Sequence, residues 1–322
     1  MTAIMPTTNL RPLPLNPARF ALPALLVALV ATATALQPSF LSGGNLQNIL
    51  TQASPLLIVT MGQAVVMLVR GLDLSVASLM ATMAVVATAF NASDDSAIPM
   101  IFAIVVVLSA IVGLANGLLV TRRKVSPFIA TLAMMIVLQG LRFAYTKGAP
   151  AGSLPQGFRY LGAGRLWGFP VNLILFALLF AILWVVLSKT SLGRRIYIVG
   201  GNPRAAELVG LNSDRITIVG YVLCSVLAGL GGLLLVGYVG TVDNWVGRGY
   251  ELDSIIAAVM GGVSLAGGAG GIAGATAGGL ILILISNIVV ILGLPVQAQL
   301  IIKGVIIVSA SALFVRSQRR ST

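Results

Sequence analysis

The chain has 322 residues, of which 58% are hydrophobic and 9% are charged, and its formal net charge is +12. Soluble domains carry about 25% charged residues, so this composition excludes an ordinary soluble protein and indicates a polytopic helical membrane protein. The sequence has no histidine, which removes the commonest general base and metal ligand. Cys224 is its single cysteine, so a disulfide within the chain is excluded, and we predict that it is a small core side chain.

The positive charge does not predict nucleic-acid binding. Lysine and arginine lie almost entirely between apolar runs, as the orientation signals of membrane proteins do. We therefore expect membrane lipid, and no nucleic acid, to contact this chain.

The N-terminal segment 1–19 contains four prolines and two arginines but no apolar core, so we predict a disordered cytoplasmic tail. Arg11 and Arg19 precede the first apolar run, as in a signal peptide. A convincing small-residue cleavage site is missing and further apolar runs follow at once, so we predict a retained first helix. The predicted spans cover about 20–36, 51–69, 74–90, 98–120, 127–146, 170–188, 216–239, 252–262, 270–292 and 297–315.

These runs predict an all-α membrane protein with about ten transmembrane helices. Residues 20–315 are predicted to be one transmembrane domain, followed by a cytoplasmic tail at 316–322. Glycines crowd the exit of segment 252–262, so that segment is predicted to be short or re-entrant. The glycines and alanines of 261–279 favour close helix packing, with a flexible gate as the alternative.

The distribution of basic residues predicts the topology. With ten spans and a cytoplasmic N-terminus, most lysines and arginines fall in the inside segments. The positive-inside rule therefore predicts that both the N-terminus and the C-terminus are cytoplasmic. The segments then assigned to the outside hold fewer basic residues, namely Arg142, Lys147, Arg159, Arg165 and Arg248, and Lys303 lies in the last span.

Residues 70–75 (RGLDLS) join two predicted spans. Arg70 and Asp73 are three residues apart and could pair, which would lower the cost of placing either at the membrane edge. One interpretation is a cytoplasmic turn in which Asp73 caps the next helix, and the other is a helix break that faces a transport path. A weak internal similarity between 71–85 and 251–265 is also present, and no prediction depends on it.

Segment 189–215 is a long polar interruption that contains one predicted short helix. Asn202 suits the N-cap, Pro203 the first helical position, and Gly210 the residue just past the end. A helix of about two turns is marginal in water without tertiary support. It therefore needs a surface to lie against, and its apolar face is predicted to consist of Ala205, Leu208 and Val209.

Chemistry-bearing residues are sparse. The eight acidic residues are predicted near span ends or in loops: Asp73, Asp94, Asp95, Glu207, Asp214, Asp243, Glu251 and Asp253. Ion-driven transporters usually keep ionisable groups deep in the membrane, so secondary transport is disfavoured unless Asp73 or Asp253 lies deeper. Catalytic and metal-ligand constellations and a phosphate-binding loop are missing, so we predict no enzyme activity, no metal and no cofactor in this chain.

Four segments carry a resemblance to a known family: 71–78 (GLDLSVAS), 115–135 (ANGLLVTRRKVSPFIATLAMM), 193–215 (GRRIYIVGGNPRAAELVGLNSDR) and 249–271 (GYELDSIIAAVMGGVSLAGGAGG). In these segments the chain resembles the membrane permease subunit of bacterial ATP-binding-cassette (ABC) sugar importers of the ribose/xylose/galactose type. That family usually has two glycines before the Ile/Leu-Asp-Leu-Ser motif, and here the first of them is Arg70.

The resemblance implies a multi-pass permease in the bacterial inner membrane that does not bind ATP itself. The implied partners are a second permease copy or a related permease, two cytoplasmic ATPase subunits that carry the ATP and magnesium, and a periplasmic sugar-binding protein. Segment 189–215 then corresponds to the cytoplasmic coupling loop. The residues expected to engage the ATPase are Gly200, Gly201, Asn202, Arg204, Ala205, Ala206, Glu207, Leu208, Val209 and Gly210, with Arg204 and Glu207 at the rim.

The predicted function is ATP-driven import of a monosaccharide by alternating access, and the alternative is a self-contained secondary transporter or channel for a small neutral solute. We expect a weakly polar pathway. Candidate lining residues are Asp73, Ser75, Asn116, Gln139 and Asn287. For Ser75, Asn116, Gln139 and Asn287 the favoured role is instead a hydrogen-bond group in helix packing. Candidate residues for docking of the binding protein are Asp243, Asn244, Trp245, Arg248 and Tyr250, of which Trp245 and Tyr250 could instead be membrane-interface anchors.

Overall fold

The computed structural model describes residues 18–295, apart from 151 and 153, and residues 297–305. Most of this part is helical, as predicted. The helices are α1 (Ala18–Leu36), α2 (Gly43–Leu68), α3 (Val76–Ala87), α4 (Ile98–Thr121), α5 (Pro127–Thr146), α6 (Gln156–Ala163), α7 (Val171–Lys189), α8 (Ser191–Gly201), α9 (Pro203–Leu208), α10 (Ser213–Val239), α11 (Tyr250–Met260) and α12 (Ile272–Ile291). Residues 297–305 are also helical. The predicted tails, apart from residues 18 and 19, and the last residues of the final span lie outside the described residues.

Non-helical residues form short connections. Two 3₁₀ turns, Pro38–Leu41 and Asp95–Ala97, precede α2 and α4. Between α6 and α7, strands β1 (Arg165–Leu166) and β2 (Phe169–Pro170) pair antiparallel in a small hairpin.

Six helices of the described chain are long and apolar enough to cross a membrane: α2, α4 with its preceding turn, α5, α7, α10 and α12. Each coincides with a predicted span. Helix α2 begins at Gly43, eight residues before the predicted 51, because the Ser42 side chain accepts a hydrogen bond from Asn45 N (3.3 Å) and caps the helix there. Helix α1 covers the first predicted span.

Two further predicted spans are short helices. Helix α3 has 12 residues and α11 has 11, so each is roughly 17–18 Å long, about half of a ~30 Å hydrocarbon layer. The full-length span predicted at 74–90 is therefore wrong, because its first residues are non-helical and its last residues turn away from the helix. The short segment predicted near 252–262 is α11.

Helix α10 lies at the centre of the bundle and runs antiparallel to α2 and α4. A Cβ added to Gly62 of α2 would lie 3.0 Å from the Cα of Cys224, and one added to Gly113 of α4 would lie 2.7 Å from the Cα of Val222. Glycine at these positions therefore allows the helix backbones to approach closely. Cys224 is buried between them, as predicted for a small core side chain.

The glycine-rich segment 261–279 is divided between a loop and the start of α12. Gly274 and Gly278 of α12 press against the backbone of Gly261 and Ala257, where a Cβ would not fit. This contact supports the close-packing interpretation for the helical part of the segment.

The two ends of the bundle differ. One end, the basic end, holds α8, α9, the beginning of α10 and the turn 122–126, which a Lys124–Asp214 ion pair of 3.5 Å joins to α10. The other end, the hairpin end, holds α6, the β-hairpin and loops 88–97 and 240–249. There Asp95 Oδ1 accepts a hydrogen bond from Gly157 N (2.8 Å).

Candidate functional site

The short helix predicted in segment 189–215 is α9. Asn202 caps it, because its Oδ1 accepts a hydrogen bond from Ala205 N (3.1 Å), and Pro203 is its first residue. The helix ends at Leu208, with Val209 as its C-cap. Gly210 follows with φ +81, a left-handed conformation that favours glycine.

Two large apolar side chains at the end of α9, Leu208 and Val209, face outward. Leu208 is 89% exposed and Val209 is 72% exposed, and Arg204, Ala205 and Glu207 are exposed beside them. Ala206 is fully buried and anchors the opposite side of the helix. An exposed leucine and valine flanked by charged residues form an apolar patch that another protein could cover.

Helix α8 precedes α9 and was not predicted. The Thr190 hydroxyl caps it by accepting a hydrogen bond from Gly193 N (3.4 Å), and Ile196 and Val199 are buried on one face. A threonine followed by apolar residues at i and i+3 is the sequence signal that could have indicated this helix. The Tyr197 hydroxyl donates to Gly270 O (3.0 Å), and burial raises its pKa.

Arg70 holds the C-terminal end of α8. Its Nε donates to Gly200 O (2.6 Å), and a terminal guanidinium nitrogen donates to Gly201 O. Cations are favourable at helix C-termini, where carbonyl groups lack helical partners. The predicted pairing of Arg70 with Asp73 is wrong. Arg70 has φ +65, so the turn is not helical and helical spacing does not bring the two side chains together.

Asp73 is fully buried and is not part of an exposed cytoplasmic turn. Its Oδ1 accepts hydrogen bonds from Ser75 N (2.8 Å) and from the Ser75 hydroxyl, just before α3 begins. Asn116 Nδ2 of α4 donates to Ser75 Oγ (3.0 Å). The tertiary structure therefore brings three of the predicted pathway residues, Asp73, Ser75 and Asn116, into one buried polar cluster.

Side chains of neighbouring helices form hydrogen bonds with the backbone groups of the non-helical segment 72–75. Thr131 Oγ1 of α5 accepts from Leu74 N (3.1 Å). The Gln63 amide of α2, oriented to satisfy both of its groups, donates to Asp73 O (3.1 Å) and accepts from Asp73 N (3.3 Å). Irregular backbone at membrane depth is stable where protein covers it in this way.

Two acidic residues are largely buried within the bundle. Asp73 is one, and Asp253 of α11 is the other, with its side chain 14% exposed and 2.7 Å from Lys303 Nζ. Both lie where the sequence predicted, Asp73 in the non-helical turn before α3 and Asp253 in the first turn of α11. Their burial within the bundle was not predicted. Paired charges inside a membrane bundle are characteristic of functional positions.

The other predicted pathway residues lie elsewhere. Asn287 is on α12, and its Oδ1 is buried without a hydrogen-bond partner among the described residues. Gln139 of α5 lines a cavity of about 320 Å³ at the hairpin end. Among the described residues, no group of three His, Cys, Asp or Glu side chains could hold a metal ion.

Arg142 of α5 is buried, although the charge distribution assigned it to an outside segment. It is 5% exposed, and it donates from Nη1 to Ser78 O (3.0 Å) and from Nη2 to Asn244 O (2.9 Å). The arginine thereby ties α5 to α3 and to loop 240–249. The sequence signal that could have indicated this buried position is an arginine inside a predicted span, because charged residues there are usually functional.

The predicted docking residues do not form one exposed set. Trp245 is half exposed, with the Arg248 guanidinium 4.9 Å above its ring, and Asp243 Oδ1 accepts from Trp245 N (2.7 Å). Asn244 is 3% exposed, because its side chain bonds Thr146 and Ala149, so it does not present its amide at the surface. Tyr250 is the first residue of α11 and only partly exposed.

The described chain is thus a bundle of apolar helices with a capped helix exposed at its basic end. The chain belongs to the family described as branched-chain amino acid transport system / permease component, whose profile matches residues 45–311.

Three relatives of the chain are transport permeases. It is 40% identical over 289 residues to the ribose import permease protein of Escherichia coli (strain K12), covering 88% of this chain and 90% of that protein. It is 39% identical over 299 residues to the ribose import permease protein of Bacillus subtilis (strain 168), covering 89% and 90%. It is 36% identical over 307 residues to the galactose/methyl galactoside import permease protein of Escherichia coli (strain K12), covering 90% and 91%.

These relatives confirm the resemblance to permeases of ABC sugar importers, and the protein is a multi-pass protein of the bacterial inner membrane. No solved structure matches the chain significantly.

Proposed function

We propose that the chain is the transmembrane permease subunit of an ATP-driven importer that moves a monosaccharide into the cytoplasm by alternating access. The observation that carries this proposal is the exposed apolar patch of α9, formed by Leu208 and Val209, at the basic end of a bundle whose relatives are named sugar import permeases. A patch of this kind is a fitting site for a cytoplasmic ATPase.

In the proposed topology the basic end is cytoplasmic, which agrees with the positive-inside rule. Helices α3 and α11 then enter the membrane as half-length segments. Together with the eight longer segments they make ten membrane segments, and both termini are then cytoplasmic. Two permease copies, or this chain and a related one, would form the pathway between them, and a periplasmic binding protein would deliver the sugar at the hairpin end.

The proposed transmission of force follows the observed contacts. ATP-driven closure of the ATPase pair would displace α9 and the attached α8. Arg70 links the end of α8 to the turn after α2, and the buried cluster of Asp73, Ser75 and Asn116 follows within a few residues. A shift of α8 would therefore reach the start of α3 without passing through a flexible loop.

Reconstitution tests the proposal. The permease in liposomes should move no sugar alone, and uptake should appear with its ATPase, its binding protein and ATP. Uptake driven by an ion gradient with this chain alone would instead support a secondary transporter. That alternative gains weight from the buried Asp73 and from the Asp253–Lys303 pair.

The second candidate substrate class is a branched-chain amino acid, which the family description favours. The sugar names of the relatives at 36–40% identity favour a monosaccharide. Competition in the reconstituted importer between leucine and a panel of pentoses and hexoses separates the two classes.

A further inference from the structure

The cavity at the hairpin end has the lining of a ligand site. Its volume is about 320 Å³, within the ~300–1,000 Å³ range of small-molecule pockets. Ala77 and Ala81 of α3 lie one helical turn apart and form one wall, and their small side chains leave the space open. Residues of α5, of loop 240–249 and of α11 form the other walls.

The polar groups in the cavity include both donors and acceptors. Arg142 is 5% exposed, and its Nε has no partner among the described residues although both terminal nitrogens are bonded. Gln139 offers an amide donor and an amide acceptor, and Glu251 offers a carboxylate whose Oε2 already accepts from Gly249 N (2.9 Å). Trp245 adds a half-exposed indole at the rim.

This set of groups fits a neutral polyhydroxylated ring. Sugar hydroxyls both donate and accept hydrogen bonds, and the C–H face of a sugar ring suits an aromatic side chain. The Glu251 carboxylate lies among the Arg142 and Arg248 guanidinium groups, so the cavity is not a purely cationic anion site. An apolar ligand would leave the Gln139 amide unpaired. A monosaccharide offers hydroxyl groups that can both donate to and accept from these side chains.

We propose that this cavity is a binding site for one monosaccharide within the permease itself. Gln139 and Glu251 bind hydroxyl groups, Arg142 holds loop 240–249 in place beside them, and Trp245 contacts the ring. The site joins residues that were expected to have separate roles, because Gln139 was predicted to line the pathway and Trp245 to dock the binding protein. The sugar is held where it enters from the hairpin end. The class of ligand rests on the proposed function.

Protection of an introduced thiol tests the site without the ATPase. The full chain carrying Met135→Cys, at a position that lines the cavity and has no proposed contact with the sugar, is placed in nanodiscs. It is labelled with a small charged thiol reagent in the presence of pentoses and hexoses. The wild-type chain is the blank, because its sole cysteine, Cys224, is buried. Ser93→Cys, on an exposed loop at the same end, is the control for reagent access.

We expect a transported sugar to slow labelling of Met135→Cys about tenfold at about ten times its Kd, and to leave Ser93→Cys unaffected. Glu251→Gln in the Met135→Cys background should weaken protection about tenfold while labelling without sugar is unchanged. Ala81→Leu, which fills the cavity, should abolish protection in a chain that still elutes as a folded protein.

The outcomes separate this proposal from the proposed function. If the complete importer transports a sugar that fails to protect Met135→Cys, the cavity proposal is overturned and the importer function stands. If protection occurs but ATP-dependent uptake does not, the cavity proposal stands and the importer function fails. Equal protection of Ser93→Cys would identify a non-specific effect and also overturn the cavity proposal.

Discussion

Arg70 Nε donates a hydrogen bond to the carbonyl oxygen of Gly200 at 2.6 Å, across 130 positions of the chain. The contact joins the turn after α2 to the end of α8, and Gly268 N, which donates to Leu68 O (3.0 Å), adds the glycine-rich loop to the same junction. Three segments far apart in sequence therefore meet at one point of the basic end. We therefore expect a displacement of α8 to act directly on the turn that leads to Asp73.

Replacement of Arg70 tests the contact between the turn after α2 and the end of α8 without changing the helix that is proposed to bind the ATPase. Arg70→Ala removes the hydrogen bonds to Gly200 and Gly201, at about 1.5–3 kcal/mol for a bond to a charged group. We expect the ATPase to bind normally, because α9 is unchanged, and sugar uptake per ATP hydrolysed to fall. The measurement is uptake and ATP hydrolysis in the same proteoliposomes.

Arg70→Gly is the matched control, because glycine accepts φ +65 without the strain of about 1–2 kcal/mol that a side chain carries there. The glycine variant should unfold at a higher temperature than the alanine variant but show the same loss of uptake per ATP. Full uptake in both variants would refute the mechanical link.

Leu208 is the residue of α9 most exposed for a partner. Leu208→Asp should weaken binding of the ATPase by about tenfold or more, because burying a leucine contributes about 1.5–3 kcal/mol and a carboxylate would be desolvated. Binding of purified ATPase to the permease in nanodiscs provides the measurement. Glu207→Gln, on the same helix, should have a much smaller effect. Normal co-purification of the Leu208→Asp complex would exclude α9 as the docking helix.

The Asp253–Lys303 ion pair predicts that removing one of the two charges destabilises the protein more than removing both. Lys303→Met leaves a mostly buried carboxylate without its partner, and breaking a buried pair costs about 3–5 kcal/mol. We expect a lower melting temperature for Lys303→Met and for Asp253→Asn, and partial recovery in the double variant. Thermal unfolding in detergent, followed by light scattering, measures this. Additive losses in the double variant would show that the two groups do not interact.

Substitutions of Asp73 distinguish a role in ion coupling from a structural role. Asp73→Asn keeps an oxygen that can accept from Ser75 N, so the start of α3 and ATP-driven uptake should both be retained. Asp73→Leu leaves the buried Ser75 N without its acceptor and should destabilise the protein by about 1–3 kcal/mol. Uptake is assayed with and without an imposed proton gradient. A gradient-dependent component that disappears in Asp73→Asn would contradict the structural role.

Local signals were sufficient for much of the fold. The bounds predicted for α5 agree with the structure, because Pro127 suits a first helical position and the apolar run is bounded by polar residues. The cap of α9 by Asn202 was also predicted, because a cap involves residues three positions apart. The half-length of α3 was not predicted, since hydropathy measures the apolar character of 74–90 and not where its backbone leaves the helix.

The sequence by itself determined the membrane class, the position of most helices, the capped helix α9 and the resemblance to sugar permeases, because these depend on composition and on neighbours within one or two turns. Only the tertiary structure decided that Asp73 is buried, that Arg70 binds Gly200 and not Asp73, and that Arg142 lines a cavity with Gln139 and Glu251. The physical reason is that each of these features depends on side chains brought together by helix packing. Periodicity along a single helix carries no information about which distant residue will face it.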